Sequence, residues 1–260
     1  MQEIKYPFFK KGRILKIEML ENLRDYPRDV LDVYNEYLSD GIICGLMPKV
    51  DKDIITFSKG IVKYNGHLYL INAPTSITYG ATDVEVIIKL SFYDQLRDND
   101  YETEYVNIEI DKDLEIKDNQ IELGRFKLKV GAYLRSDYQD LYDFTTEYNT
   151  INIVNVLYSG YGQPTLSNMI LKYFAKEALG SRTQNQMDIT FSMLCLNSNR
   201  VEKEVIYNYI AYRLTEEIKP LESLENKDLH EKLVKVLVNI KRENSGLKRS
   251  RVSTQKIILD

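Results

Sequence analysis

Tryptophan is absent from this sequence of 260 residues, and histidine and cysteine occur only twice each. With His67 in a predicted hairpin and His230 on a predicted helix, there is little from which to build a catalytic triad or a histidine-rich metal site. We expect both imidazoles to lie at the surface. Cys44 and Cys195 lack the Cys-x-x-Cys spacing of a zinc site. Because both lie in apolar segments, we expect two buried free thiols, and a disulfide between them is the lesser alternative.

Long apolar runs and a strong excess of one charge are also missing. No apolar stretch approaches the roughly 18–20 residues of a membrane span, and the first residues lack the apolar core of a secretory signal. The net charge of −4 predicts no affinity of the whole chain for nucleic acid. With 28% charged residues, we expect a soluble protein made in a reducing cytoplasm.

Motifs for nucleotide or metal chemistry are absent as well. The sequence holds no Gly-x-x-x-x-Gly-Lys-Ser/Thr loop, and Gly160-Tyr161-Gly162 is a lone Gly-x-Gly that predicts a loop. Asp111-Lys112-Asp113 lacks the glycine and distal glutamate of a calcium loop and predicts a solvated turn. Among 39 acidic residues, pairs resembling a glycosidase dyad arise by chance. The carboxylates considered were Asp51, Asp53, Asp98, Asp100, Asp111, Asp113, Asp137, Asp140 and Asp143.

These absences predict no catalytic, cofactor-binding or metal-binding residue, and therefore a protein that is not an enzyme. Tyrosine, in contrast, is abundant, with 20 residues beside eight phenylalanines. Tyrosine combines a large contact area with a polar tip and is enriched at protein interfaces. A Lys/Ile/Tyr-rich, AT-biased genome explains the same composition equally well, so the two interpretations stay open.

The first 40 residues predict a helical arm made of two short helices. Leu15, Met19 and Leu23 recur at a spacing of four, which places them on one helical face. The first helix should end before Pro27, because proline disfavours the helical conformation of the residue before it. The second helix, to about residue 38, has an apolar face formed by Val30, Val33, Tyr34 and Tyr37. This arm would pack either on its own domain or on a neighbouring subunit.

Residues 41–131 predict an antiparallel β domain, either a sandwich or a small barrel. Asn65-Gly66 favours a two-residue type I′ turn, because that turn needs positive φ at both positions. Such a turn pairs Tyr64 with His67. The predicted strands lie at 42–47, 53–58, 60–64, 67–71, 84–93, 103–110 and 121–130.

A Tyr-rich bridge at 132–164 separates the β domain from the rest of the chain. It has no regular apolar period, so it is either a loop wrapped over the core or a segment ordered by a partner. A helical domain follows at 165–242, and together these parts define an α+β fold with a C-terminal helical bundle.

Four helices are predicted within that helical domain. The first begins with Thr165 or Ser167 as N-cap and ends with Gly180 as the C′ residue. The next two cover 187–196 and 201–218. The clearest amphipathic face of the protein consists of Leu229, Leu233, Val236, Leu237 and Ile240.

The tail at 243–260 is polar and basic until Ile257-Ile258-Leu259, which could dock on a partner. Its basic residues, with the two just before it, are Lys241, Arg242, Lys248, Arg249 and Arg251. A short basic run on an acidic protein is more typical of a solvated chain end than of a phosphate-binding site.

Two parts of the chain resemble phage tail proteins. Gly41-Ile42-Ile43-Cys44-Gly45-Leu46, a following strand, and the segment Gly60 to Gly66 are similar to a pattern near the start of baseplate and tail-fibre subunits. The lead-in segments at 12–16 and 23–29 resemble tail proteins of clostridial phages and phage-tail-like bacteriocins, and the segments at 163–167 and 170–175 extend the likeness. The resemblance covers about the first 75 residues and a patch near 160–180, and it transfers no active residue.

This resemblance implies a structural subunit of a baseplate in a contractile injection system, made in the bacterial cytoplasm and assembled into a virion tail or tail-like particle. Its partners would be other baseplate subunits, a tail-fibre or receptor-binding protein, and further copies of itself. The chain lacks the Gly-rich, repetitive shaft of a fibre and its C-terminal half is helical, which favours an adaptor. The alternatives are a carbohydrate-binding or glycan-cleaving receptor protein of the tail, and a nucleic-acid-binding protein.

Overall fold

The chain folds as an N-terminal helix, nine antiparallel strands and four further helices, in a computed structural model that describes residues 3–97, 99–215 and 219–252. The α+β class predicted from the sequence is confirmed. No helix of this described part is long and apolar enough to cross a membrane. Asp98 and the apolar residues 257–259 lie outside the described residues, as do the side chains of the tail from residue 245 onwards.

The strands pair into three antiparallel sheets of three strands each. The first sheet has β1 (Gly41–Gly45), β4 (Gly60–Tyr64) and β5 (His67–Ile71), in that order. The second has β2 (Pro48–Asp51), β3 (Ile54–Phe57) and β6 (Thr75–Thr78). In the third, β7 (Val86–Arg97) lies between β8 (Glu102–Asp111) and β9 (Gln120–Phe126). Two of these strands, β2 and β6, were not predicted, because four residues show too little alternation to identify a strand.

The β4–β5 hairpin has the predicted turn and register. Asn65 and Gly66 have φ values of 48° and 78°, as a type I′ turn requires. Tyr64 pairs with His67 and Val62 with Tyr69. Asp40 Oδ2 accepts a hydrogen bond from the Asn65 backbone N–H at 2.9 Å, which ties the turn to the end of the N-terminal arm.

Strand β7 is buried on both faces. The alternation of Val86, Ile88 and Leu90 predicts one buried face, but Ile87 and Lys89 on the other face are also fully buried. The reason is that β7 is the central strand of its sheet and is covered on both sides. The Lys89 ammonium is satisfied there by Asp111 Oδ2 at 2.9 Å and the Glu115 carbonyl at 2.7 Å, as a buried charge requires.

The Tyr-rich bridge packs into the core of this single chain, as the first of its two alternatives predicted. Its 3-10 helix, Tyr142–Thr145, buries Phe144 completely. Tyr138 stacks on Phe144 with ring centroids 3.9 Å apart and donates a hydrogen bond to the Ile151 carbonyl at 2.7 Å. Backbone hydrogen bonds from Asn152 to Arg125 then join the bridge to β9.

The helical part contains α2 (Asn168–Gly180), α3 (Gln186–Asn197), α4 (Lys203–Arg213) and α5 (Asn226–Val252). Ser167 caps α2, as one of the two predicted N-caps, through its hydroxyl, which accepts from the Met169 N–H. The prediction of Gly180 as C′ is wrong, since Gly180 is the last helical residue and Arg182 takes the positive φ of 57°. The five residues of the predicted apolar face of α5 are all fully buried.

Two predictions for single side chains are wrong. His230 is only 1% exposed, not on a helix surface, and its Nε2 lies 2.9 Å from the Leu141 carbonyl. Burial by the bridge, which the sequence did not place over α5, lowers the pKa of this imidazole. Both cysteines are free, but only Cys195 is buried. Cys44 is exposed because an irregularity in β1 between Ile42 and Cys44 interrupts the inside–outside alternation.

Candidate interaction surface

The N-terminal arm contains one continuous helix instead of the two predicted. Helix α1 runs from Ile17 to Tyr34 with Pro27 inside it. Proline removes one backbone hydrogen bond from a helix. Strong helix formers such as Met19, Leu20 and Leu31 on both sides keep the remaining turns in place.

The extended residues before α1 run back along the helix. The Asn22 side-chain amide donates a hydrogen bond to the Lys5 carbonyl at 3.3 Å. The rings of Tyr6 and Tyr26 meet edge to face, 5.4 Å between centroids. The arm is therefore a two-layer element of its own, formed by residues 3–16 against α1.

No residue of α1 is buried in the chain. Fifteen of the 34 exposed large apolar residues of the described chain lie between residues 4 and 37. They are Ile4, Tyr6, Phe8, Phe9, Ile14, Leu15, Ile17, Leu20, Leu23, Tyr26, Val30, Leu31, Val33, Tyr34 and Tyr37. We call this set the arm surface. It includes most of the residues from which the sequence predicted the two apolar helical faces.

The size of the arm surface can be compared with that of known interfaces. The six aromatic side chains of the arm surface, at about 150–250 Å² each and 43–84% exposed, present roughly 700 Å². The nine aliphatic side chains bring the arm surface to about 1,000 Å² of exposed area. The largest apolar patch on a typical monomer is about 300–600 Å². A standard protein interface buries about 800 Å² on each partner. The arm surface is thus as large as one side of a stable interface.

The C-terminal end of the arm is fastened to the body by Lys63. This lysine of β4 is 7% exposed, and its ammonium donates to the carbonyls of Asn35 at 2.8 Å, Glu36 at 2.9 Å and Leu38 at 2.7 Å. The last carbonyls of a helix have no partner within the helix and carry partial negative charge. Lys63 therefore caps α1 from the first sheet.

The Gly160-Tyr161-Gly162 loop forms a second fastening at the same place. The Ser39 N–H donates to the Gly160 carbonyl at 2.8 Å, and the Gly162 N–H donates to the Tyr37 carbonyl at 2.9 Å. The rings of Tyr37 and Tyr161 stack at 5.7 Å. A Cβ at Gly160 would overlap the Gln163 carbonyl, so this close approach requires glycine. The predicted loop is confirmed, and it positions the arm.

An apolar groove of about 440 Å³ separates the second half of α1 from the first sheet. Leu31 and Tyr34 form its helix side, while Ile61 and Leu70 form its sheet side. His67 lies at this groove and is exposed, as predicted. The groove extends the arm surface onto the body.

Three of the carboxylates singled out in the sequence, Asp111, Asp113 and Asp143, have hydrogen-bond partners close to them in the chain. Asp143 pairs with Arg135, whose Nη1 lies 2.6 Å from Asp143 Oδ2, and this guanidinium lowers the pKa of Asp143 to about 2. Asp111 and Asp113 accept backbone hydrogen bonds within their own turn. Among the described residues no group of three His, Cys, Asp or Glu side chains could hold a metal ion.

The sequence missed a buried polar cluster in the helical part. Asp188 is fully buried and accepts hydrogen bonds from Tyr209 Oη at 2.8 Å and Thr183 Oγ1 at 2.9 Å, with Arg213 Nε at 3.0 Å as its ion-pair partner. Burial and the adjacent carboxylate raise the pKa of Tyr209. These groups neutralise one another and hold α3 to α4. Tyr209 and Arg213 are 21 and 25 residues from Asp188, a spacing that gave no sequence signal.

Comparisons with known proteins return matches only among solved structures, since no family model and no curated protein matches. The structure of the type VI secretion TssK-TssF-TssG baseplate subcomplex matches with a TM-score of 0.42 and 10% identity, covering 92% of this chain and 100% of that chain. The crystal structure of TssK matches with a TM-score of 0.39 and 9% identity, covering 92% and 69%.

A third match is the baseplate complex of the type VI secretion system, with a TM-score of 0.38 and 11% identity, covering 92% of this chain and 70% of that chain. The structural neighbours are therefore baseplate proteins of a contractile secretion system. At TM-scores of this size the matches assign no function to this chain.

Proposed function

We propose that this protein is a non-enzymatic structural subunit of a baseplate, in a phage tail or a phage-tail-like particle, and that its N-terminal arm is the element that joins it to a neighbouring subunit. The observation that carries the proposal is α1, an 18-residue helix without a buried residue and with an apolar face. Helices in proteins owe most of their stability to the packing of an amphipathic face. Burial of its apolar face against a partner stabilises it.

The way the arm is attached supports the same role. Lys63 and the Gly160–Gly162 loop hold only the C-terminal end of α1, so the remaining length projects with its apolar side chains exposed. Because the body has its own large core, which includes the bridge and α5, the arm is not needed to complete that core. A body with its own core and an arm with exposed apolar side chains are the two features that we expect of an assembly subunit.

We propose further that the subunit is an adaptor between the baseplate body and a tail-fibre or receptor-binding protein. The arm would bind one neighbour, and the helical part at the other end of the chain would bind the next. The resemblance of residues 41–66 to tail proteins is the basis for the phage or bacteriocin setting.

The test is incorporation into particles. A triple variant, Leu23→Asp, Val30→Asp and Val33→Asp, places three charges on the arm surface at positions that are 49–70% exposed. We expect the isolated variant to keep the wild-type unfolding temperature, since no buried contact is lost. We expect it to be missing from particles purified by gradient sedimentation, because burial of an unpaired charge costs several kcal/mol.

The matched control is a triple variant on the body, Val84→Asp, Val130→Asp and Tyr133→Asp, whose positions are 51–80% exposed and lie outside both the arm surface and the groove. Normal incorporation of the arm variant would refute the proposed role of the arm. Absence of sheath and tube genes beside the gene would instead argue against the baseplate setting.

A further inference from the structure

A polar cleft of about 570 Å³ lies where the N-terminus of α5 meets the bridge and the start of α4. The polar and charged residues that line it are Arg125, Asn155, Lys203, Glu225, Asn226 and Lys227. This cleft is remote from the arm surface in sequence and shares no residue with it. It has no part in the function proposed above.

Lys203 is the unusual residue of the cleft. Its side chain is only 8% exposed, and among the described residues it makes no hydrogen bond or ion pair. The nearest opposing charges are those of Glu222 and Asp228, whose attraction is weaker than the effect of burial, so the pKa of Lys203 is lowered. Asp228 is already bonded to Lys219 Nζ at 3.1 Å and to the Glu225 N–H at 3.1 Å. Partial desolvation of an ammonium is costly when the nearest carboxylates are engaged elsewhere.

The position of Lys203 at the N-terminus of α4 is also unfavourable for its positive charge. Lys203 is the first residue of α4, where the helix carries partial positive charge and a cation is unfavourable. An anion in the cleft would relieve both the burial and the helix-end repulsion.

The N-terminus of α5 offers hydrogen-bond donors to such an anion. The first bond at this end of the helix runs from the Leu229 N–H to the Glu225 carbonyl. The backbone N–H groups of Asn226, Lys227 and Asp228 precede it and cannot bond within the helix, and in the described chain they have no other acceptor. Asn226 and Lys227 line the cleft. Free N–H groups at a helix N-terminus form a favourable site for a phosphate.

Three cationic side chains line the cleft, and two of them are available to a ligand. Arg125 is held by a bidentate pair with Glu122 at 2.8 and 2.6 Å, which leaves it as a wall of the cleft. Lys227 is exposed and makes no hydrogen bond or ion pair within the described chain. Lys203 and Lys227 are therefore the two cations available to a ligand.

We propose that this cleft binds a phosphate group, with the α5 N-terminus as hydrogen-bond donor and Lys203 as the counter-charge in the cleft wall. Three N–H groups and two ammonium groups match the several acceptor oxygens of a phosphate. The cleft volume lies in the range of small-molecule sites, about 300–1,000 Å³. It is larger than a free phosphate needs, so the group is carried on a small organic molecule.

The experiment is a titration of the full chain, followed by backbone amide chemical shifts and by calorimetry. Inorganic phosphate is the first probe, and adenosine monophosphate is compared with adenosine as the second. We expect saturable binding of phosphate with the largest shifts at the amides of Asn226, Lys227 and Asp228. We expect the nucleotide to bind more tightly than phosphate, while adenosine does not bind.

The variant K203M keeps the length of the side chain and removes its charge. Loss of one charge-assisted hydrogen bond predicts a fall in phosphate affinity of roughly tenfold or more. The control is K112M, which removes one charge from the exposed turn after β8 and should leave the affinity unchanged. Equal weakening by both variants would mean nonspecific charge attraction and would overturn the proposal.

The wild-type shifts test the site without any variant. Shifts that avoid the start of α5, or no saturation by phosphate, overturn the proposal even if K203M fails to fold. Phosphate binding without any gain from the nucleotide would restrict the ligand to the free ion and refute the small-molecule part.

Discussion

Replacing Lys63 by methionine should release the arm from the body without unfolding the body. The substitution removes all three hydrogen bonds from the ammonium to the carbonyls of Asn35, Glu36 and Leu38. Bonds to a charged group contribute about 1.5–3 kcal/mol each. Part of that sum is offset, because burying the ammonium itself is unfavourable.

We therefore expect a net local loss of about 3 kcal/mol, in which the buried Leu38 carbonyl is left without a donor and the Asn35 carbonyl keeps only the Leu38 N–H. A loss of that size corresponds to roughly a hundredfold higher population of the locally open state. Amide hydrogen exchange measures it directly, at the Asn35 and Leu38 N–H groups, which bond to the Leu31 and Asn35 carbonyls.

The control for this experiment is Lys59→Met. Lys59 precedes β4 and is exposed, so its replacement by methionine removes the same charge without affecting the attachment of the arm. Exchange at Asn35 and Leu38 should rise in the Lys63 variant alone, and core amides of α5 should stay protected in both. Unchanged exchange in the Lys63 variant would show that the lysine does not cap α1, and equal loss in both variants would point to a general charge effect.

Three further predictions concern the body. The pKa of His230 is lowered in the folded chain, so the stability that depends on a neutral His230 is complete above about pH 6.5 and is lost as the pH falls below that value. The variant His230→Gln should therefore flatten this part of the curve of unfolding free energy against pH. An unaltered curve would contradict the prediction. A thiol reagent should label Cys44 quickly and Cys195 only on unfolding, because burial raises the pKa of Cys195 to about 12; equal labelling rates would refute this. Tyr209→Phe removes a donor from buried Asp188 and should lower the free energy of unfolding by about 2–3 kcal/mol in urea, whereas a change below about 0.5 kcal/mol would mean that the bond contributes little.

The parts of the fold that local chemistry determines could be predicted. The hairpin at Asn65-Gly66 follows from a turn that few other residue pairs allow. The buried face of α5 follows from a long and regular apolar period. Both depend on residues within a few positions of one another, and both agree with the structure in register or in burial.

The errors share a different origin. His230 is buried because Leu141 and Phe144 of the bridge cover α5, a contact across 89 positions that no local pattern encodes. Cys44 is exposed because of one irregularity in β1. Pro27 is accommodated inside α1, where the neighbouring residues outweigh its local preference.

The candidate site was predicted in part. The apolar pattern of the arm is visible in the sequence. That pattern is compatible both with packing on the arm's own domain and with packing on a neighbouring subunit. The absence of a buried residue in α1 supports the proposal that the arm packs on a neighbour. The attachment of the arm by Lys63 could not be predicted, because Lys63 and the carbonyls to which it donates are 25 to 28 residues apart.

Hydrogen exchange of the arm in two states tests the central claim most directly. The exchange of α1 amides, from Ile17 to Tyr34, is measured in the isolated protein and in the purified particle that contains it. If the arm works by being buried against a neighbour, these amides exchange quickly in the isolated chain and become strongly protected in the particle. Equal exchange in the two states would contradict the account.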